Sequence, residues 1–134
     1  MATTVPKGLL GSDTLHARVE DLVRTKGPAP WVEKIVVNEQ VVGTLICQPP
    51  GHATDRHYHL VDEWWVVMAG EIDWEIEGHD EIVHARAGDI VFAPAMHYHH
   101  IHPVGDRPSI RLAITPAGEF HRHDRPAGTG PHGR

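Results

Sequence analysis

The chain has 134 residues, 40% of them apolar, and its 12 Lys or Arg against 18 Asp or Glu leave a formal charge of −6. That length holds one ordinary domain with a modest core, and the acidic balance argues against phosphate-backbone binding, which needs clustered Lys and Arg. No apolar run approaches the roughly 20 residues that span a bilayer, and no basic flank with a long apolar core opens the chain, so neither a membrane nor a secretory signal is expected.

Residues 1–11 carry no periodic signal and are expected to pack loosely. Between Ser12 and Thr25 the apolar residues Leu15, Val19, Leu22 and Val23 fall on one helical face. Ser12 or Asp13 offers an N-cap and Gly27-Pro28 a stop, which predicts a short amphipathic helix. From Trp31 to Thr115 the period changes to two. The segments 32–38, 41–48, 63–69, 71–77, 81–86, 89–93, 97–102 and 109–115 are rich in Val, Ile, Trp and Tyr. Turn signals such as Pro49-Pro50-Gly51, Ala69-Gly70 and Ala87-Gly88-Asp89 separate them, and many short strands of this kind describe an all-β sandwich or barrel. Residues 116–134 turn to Pro, Gly, His and Arg, including Gly128-Thr129-Gly130-Pro131, a tail that is either mobile or laid across a barrel mouth. The expected organisation is an N-terminal arm over 1–30, a barrel over 31–115 and a tail over 116–134.

The single cysteine, Cys47, leaves no intramolecular disulfide and no multi-cysteine zinc site, and the cytoplasm is the expected compartment. Thirteen histidines are the unusual count, and imidazole is the commonest metal ligand. His57 and His59 stand one residue apart in a β-like stretch, so both project to one face. Glu63 opens the next strand, where a turn brings its carboxylate back toward them. His97, His99, His100 and His102 supply further imidazoles from a distant strand, and a set of three imidazoles and one carboxylate suits Zn, Fe, Mn, Ni or Co.

These residues carry a resemblance. Gly51, five residues, His57-Tyr58-His59, three residues, Glu63, six residues and Gly70 resemble the first motif of the cupin superfamily without a gap. Gly88, five residues, Pro94 and then His99 resemble the second, and the strands 32–48 and 109–115 extend the fit. The resemblance implies a double-stranded β-helix, or jelly-roll barrel, preceded by the short helix. It implies one divalent metal ion per chain on His57, His59, Glu63 and His99, with a fossil site that has lost its metal as the bland alternative. Met96 stands where glycine is usual, which implies a turn that does not demand a positive φ, and Pro103 stands where asparagine often closes the motif. His97 shares the parity of His99, so it is the alternative ligand or an acid–base group beside the ligands. His100 and His102 have the opposite parity and are expected to face away.

Alternation also sorts the aromatic residues. With Glu63 inward, Trp65 and Val67 point in and Trp64, Val66 and Met68 point out, while Ile72, Trp74 and Ile76 share one apolar face. Trp65, Trp74, Val67 and Phe92 are the expected substrate pocket, with simple barrel filling as the alternative for the two tryptophans. An outward Trp64 and Met68 point to a homodimer. His16, His52, His79, His84 and His132 read as solvated, and His121 and His123 as part of a polar tail, with a lid over the pocket as the alternative.

No nucleophile triad, phosphate-binding loop or dinucleotide motif is visible. The expected function is a metal-dependent enzyme on a small aromatic or enolisable carbonyl substrate. A non-haem iron dioxygenase leads. A non-redox cyclase or isomerase using zinc as a Lewis acid, like the cupins that cyclise aromatic polyketides, is next, and a small-molecule binding or sensing module is third.

Overall fold

Alternating buried and exposed side chains set the architecture of the computed structural model, which describes residues 8–126. One helix, α1 (Val19–Lys26), precedes β1 (Trp31–Val37), β2 (Val41–Gln48), β3 (Glu63–Ala69) and β4 (Glu71–Ile76). Then follow β5 (Val83–Arg86), β6 (Ile90–Ala93), β7 (His99–Val104) and β8 (Ser109–Pro116). The strands form a five-stranded sheet in the order β1-β2-β8-β3-β6 and a three-stranded sheet in the order β5-β4-β7. Every pairing is antiparallel. On β3 Glu63, Trp65 and Val67 are buried and Trp64 and Met68 exposed, and on β4 Ile72, Trp74 and Ile76 are buried, which is the period-two pattern of the sequence.

The inner faces of the two sheets enclose the main core. Trp65, Val67, Val91, Ala93 and Ala113 come from the larger sheet, and Ile72, Trp74, Ile76, Ala85 and Ile101 from the smaller. Trp65 and Trp74 meet at its centre with ring centroids 5.3 Å apart. A second cluster lies on the outer face of the larger sheet, where Val19, Leu22 and Val23 of α1 cover Leu45, Cys47 and Ile110. Cys47 is a free thiol whose pKa burial pushes up.

The helix is shorter than its periodicity suggests. Ser12 accepts the Thr14 N–H and donates to the Leu9 carbonyl inside a small turn closed by a Leu9–Thr14 bridge. A hydroxyl spent on such a local turn cannot cap a helix, and Leu15 stays exposed before the first helical residue. Gly27, at φ 80°, ends α1 at the expected place.

The strand expected over 97–102 also shifts, and here the sequence reading needs correction. Met96 adopts φ 69°, so this turn does take the left-handed conformation, at a cost of roughly 1–2 kcal/mol for a residue with a Cβ. β7 therefore starts at His99, and His97 belongs to the turn rather than to the strand. Pro103 fits inside β7 because its carbonyl accepts the Gly51 N–H on the side away from β4. The N–H that proline lacks would face the same open edge of the sheet.

Beyond β8 the chain runs back across the barrel mouth. Tyr58 and Arg122 exchange backbone hydrogen bonds of 2.9 and 3.1 Å, and the Tyr98 hydroxyl donates to the His123 carbonyl at 2.8 Å. Arg125 forks onto the Glu77 carboxylate and donates to the Met96 carbonyl at 2.8 Å. Of the two expectations for the tail, the described part takes the second. Residues 1–7, Gly128-Thr129-Gly130-Pro131 and His132 lie outside the described residues. No helix among the described residues is long and apolar enough to cross a membrane.

Candidate metal centre

Three separate pieces of chain bring the four expected donors together. His57 exchanges backbone hydrogen bonds of 3.1 and 2.8 Å with His99 at the start of β7, and the His59 carbonyl accepts the Met96 N–H at 2.7 Å. Glu63 opens β3 after a turn in which the Asp62 carboxylate accepts the Ala95 N–H at 2.9 Å. His57, His59, Glu63 and His99 are all buried, with one donor atom of each within 4.8 Å of the others.

Their spacing and their unmet bonds fit a bound cation. His57 Nε2 and His99 Nε2 stand 3.0 Å apart, and Glu63 Oε1 lies 3.1 Å from His59 Nε2 and 3.2 Å from His99 Nε2. Donors held about 2.1 Å from one ion lie about 3.0 Å apart on adjacent octahedral positions and about 3.4 Å apart on a tetrahedron. His59 Nε2 and Glu63 Oε1 are close, yet their angles are not those of a hydrogen bond and both buried atoms remain without a partner. Such orphans cost about 1–3 kcal/mol each, which a cation at their common focus removes. The outer nitrogens aim the rings. His57 Nδ1 lies 3.2 Å from the Asp55 carbonyl and His59 Nδ1 lies 2.9 Å from the Phe120 carbonyl. Donation at Nδ1 leaves each Nε2 lone pair facing inward.

The charges are set by the same contacts. Burial pushes His57 down to about 4, with the His99, His121 and His59 imidazoles adding to the effect. Burial pushes the Glu63 carboxyl up, but the His59 and His99 imidazoles beside it outweigh that and hold it at about 2. Burial also lowers His59, and Glu63 overturns this to raise it.

Two of the donors, His57 and Glu63, line a cavity of about 490 Å³. Val32, Ile46, Trp65 and Ile101 supply apolar surface, and Gln48, Arg111 and His121 supply polar groups. Arg111 occupies an inward position of β8 and donates from Nη1 to Gln48 Oε1 at 2.6 Å. Burial pulls its guanidinium down to about 10 against the opposing charge of Glu63, so it is cationic at neutral pH. His121 reaches in from the tail and stacks on His57, ring centroids 3.8 Å apart and planes 10° apart. Its Nδ1 lies 3.6 Å from Asp55 Oδ1, and the Asp55 carboxylate also receives His123. Burial lowers the His121 pKa more than Asp55 raises it, so the ring is neutral at pH 7.

Of the pocket residues expected from the sequence, Trp65 lines the cavity, while Val67 and Trp74 pack in the closed core beneath it. Phe92 does not belong there. β6 pairs with β3 so that Phe92 stands opposite Trp64 on the outer face, where it is 52% exposed. His97 is likewise displaced by the Met96 turn. Its Nδ1 lies 2.7 Å from the Glu77 carbonyl and it lines a separate cavity of about 320 Å³ with Ile76 and Val91, so it neither replaces His99 nor stands beside the donors. His100 and His102 face outward, paired with Glu75. Arg111, Gln48 and Asp55 are cavity residues that the sequence reading passed over. Arg111 left one signal, a charge at an inward-parity position within the otherwise apolar run from Ile110 to Ile114.

None of the curated proteins matches the chain. Among solved structures it is similar to a conserved protein with a double-stranded β-helix domain from Klebsiella pneumoniae, at 23% identity and a TM-score of 0.65, covering 83% of this chain and 99% of that one. It is similar to the polyketide cyclase RemF from Streptomyces resistomycificus at 17% identity and a TM-score of 0.61, covering 68% of each chain. The DMSP lyase DddQ from Ruegeria pomeroyi shares 28% identity at a TM-score of 0.51, with 65% of this chain and 40% of that one covered. The first two likenesses show the fold alone. Residues 44–115, more than half of the length, match the family model described as Cupin domain. A match over that span, together with two facing antiparallel sheets, makes the chain a member of the cupin domain family.

Proposed function

We propose that the chain is a metal-dependent enzyme that moves protons on a small organic substrate carrying a carbonyl or carboxyl group, a lyase, isomerase or cyclase step without net oxidation. One observation carries this reading. His121, with Asp55 beside it, stands at the mouth of the cavity in stacking contact with His57. His57, His59, Glu63 and His99 would hold the ion, which supplies Lewis-acid polarisation of a substrate oxygen when bound. His121 accepts a proton from carbon at its free nitrogen, and Asp55 stabilises the imidazolium so formed, the arrangement that general-base chemistry requires. Trp65, Ile46 and Ile101 exclude water from the inner end of the cavity. A second copy of the chain is the proposed macromolecular partner.

Two measurements test this. Zinc-loaded protein is expected to exchange carbon-bound hydrogen for deuterium in small keto acids or β-diketones, followed by NMR. His121→Ala should slow that exchange by about 10²–10⁴-fold while the zinc content is unchanged. His57→Ala and His99→Ala should lose the metal and His97→Ala should keep it, by elemental analysis. Exchange by His121→Ala at the wild-type rate sinks the assignment.

The dioxygenase reading keeps one observation in its favour, since the same three imidazoles and one carboxylate are donors that ferrous iron accepts. Oxygen uptake by iron-loaded protein with catechols, flavonols or β-diketones, without deuterium exchange, would decide for it.

A further inference from the structure

We propose that Arg111 makes this cavity a receptor for a carboxylate, so that the substrate is a small organic acid whose apolar body lies against Val32, Ile46, Trp65 and Ile101. The inference rests on the proposed metal-dependent site and names the class of molecule that it takes.

Arg111 is only 4% exposed. Among the described residues its side chain makes one hydrogen bond, from Nη1 to the neutral Gln48 Oε1, and Nε is buried without an acceptor. Among the described residues no carboxylate forms an ion pair with it. A guanidinium in a protein interior is strongly disfavoured unless an anion meets it. Of the two carboxylates that line the cavity, Glu63 acts on Arg111 through space without an ion-pair contact, and Asp55 is engaged elsewhere. Glu63 Oε1 is turned to His59 and His99, and Asp55 is held by His57, His121 and His123. A divalent ion on the four donors leaves the inner cavity still more positive, because Glu63 offsets only one of its two charges. The missing partner is therefore an anion that arrives with the ligand.

The chemistry of the group narrows that anion. Nη1 is taken by Gln48 and Nε is enclosed by protein, so Nη2 is the nitrogen left for an incoming anion, and a carboxylate is the organic anion that forms a charge-assisted hydrogen bond with a guanidinium. Among the described residues no lysine or second arginine lines the cavity, so one guanidinium is available to the anion. Four apolar side chains around it call for a carbon skeleton on the acid.

Calorimetric titration of benzoate and of its neutral isostere benzamide into wild type, Arg111→Gln and Arg111→Met, each zinc-loaded and metal-free, tests the proposal. Both substitutions are expected to weaken benzoate binding about tenfold to hundredfold, the worth of a charge-assisted hydrogen bond. Zinc content and benzamide affinity should stay at the wild-type level. Benzoate affinity within twofold of wild type overturns the proposal. So does an equal loss for benzamide, or a failure of both variants to fold, since either makes the guanidinium structural. Failure of the underlying reading looks different. A wild type that retains no zinc, yet binds benzoate through Arg111, would remove the metal and leave the carboxylate receptor.

Discussion

Two imidazoles of the centre, His57 and His59, answer to acid in opposite ways. The lowered pKa of His57 means that the unfolded chain binds a proton near 6.5 while the folded chain resists it until about 4. Its contribution to stability is therefore present above 6.5 and lost as the pH falls toward 4. Glu63 has the same sign lower down, with stability present above its ordinary 4.5 and lost as the pH falls through about 2. His59 runs the other way, because Glu63 raises its pKa and the stability it gains is lost as the pH rises through that raised value. It is also the donor at which proton and metal compete hardest, since a bound ion requires Nε2 bare. The increase in Tm that zinc confers should thus shrink steadily between pH 7 and pH 5, read by thermal scans of zinc-loaded against metal-free protein. A zinc-induced increase that is flat across that range contradicts the donor assignment.

Among the elements, the returning tail is the one that connects the site to the rest of the barrel edge. Its fork from Arg125 to Glu77 holds Phe120 where its carbonyl orients His59, and holds His121 over His57. Arg125→Ala is expected to raise deuterium uptake across 118–123 while β3, β4 and β8 stay protected. Zinc affinity should fall by about 10–100-fold through the lost orienting carbonyl. Unchanged uptake in that segment would mean that the fork does not fasten it.

The strands were legible because an alternating burial pattern leaves its mark on every second residue, and the spacing of His57, His59 and Glu63 is local enough to read along one stretch. The displaced features all depend on something that sequence spacing does not carry. The parity of His97 was broken by the left-handed Met96, a conformation that methionine does not advertise. Phe92 followed its pairing with β3 rather than its hydrophobicity. Asp55 and His121 meet only because the chain returns from beyond β8, 66 residues later, and Arg111 gains its meaning from a cavity that four other strands enclose.

Over the whole molecule, the outer face of the larger sheet is half covered. α1 shields β1, β2 and part of β8, while Trp64, Met68, Ile90 and Phe92 stand exposed on β3 and β6. The proposed homodimer would use that surface, since apolar area left in water forgoes about 25 cal/mol per Å². Light scattering should therefore give twice the chain mass for wild type and the single mass for Phe92→Asp. A wild type that is monomeric at high concentration removes the expectation.

The strand order has one more effect. β8 sits between β2 and β3, although it follows them by dozens of residues. During synthesis the hairpin of β1 and β2 and the pieces around β3 have no common neighbour until Ser109–Pro116 has left the ribosome. The nascent chain must then wait as an open sheet with two unpaired edges, the state in which β proteins fold slowly and attract chaperones. Like an arch awaiting its keystone, the larger sheet is complete only when β8 joins it.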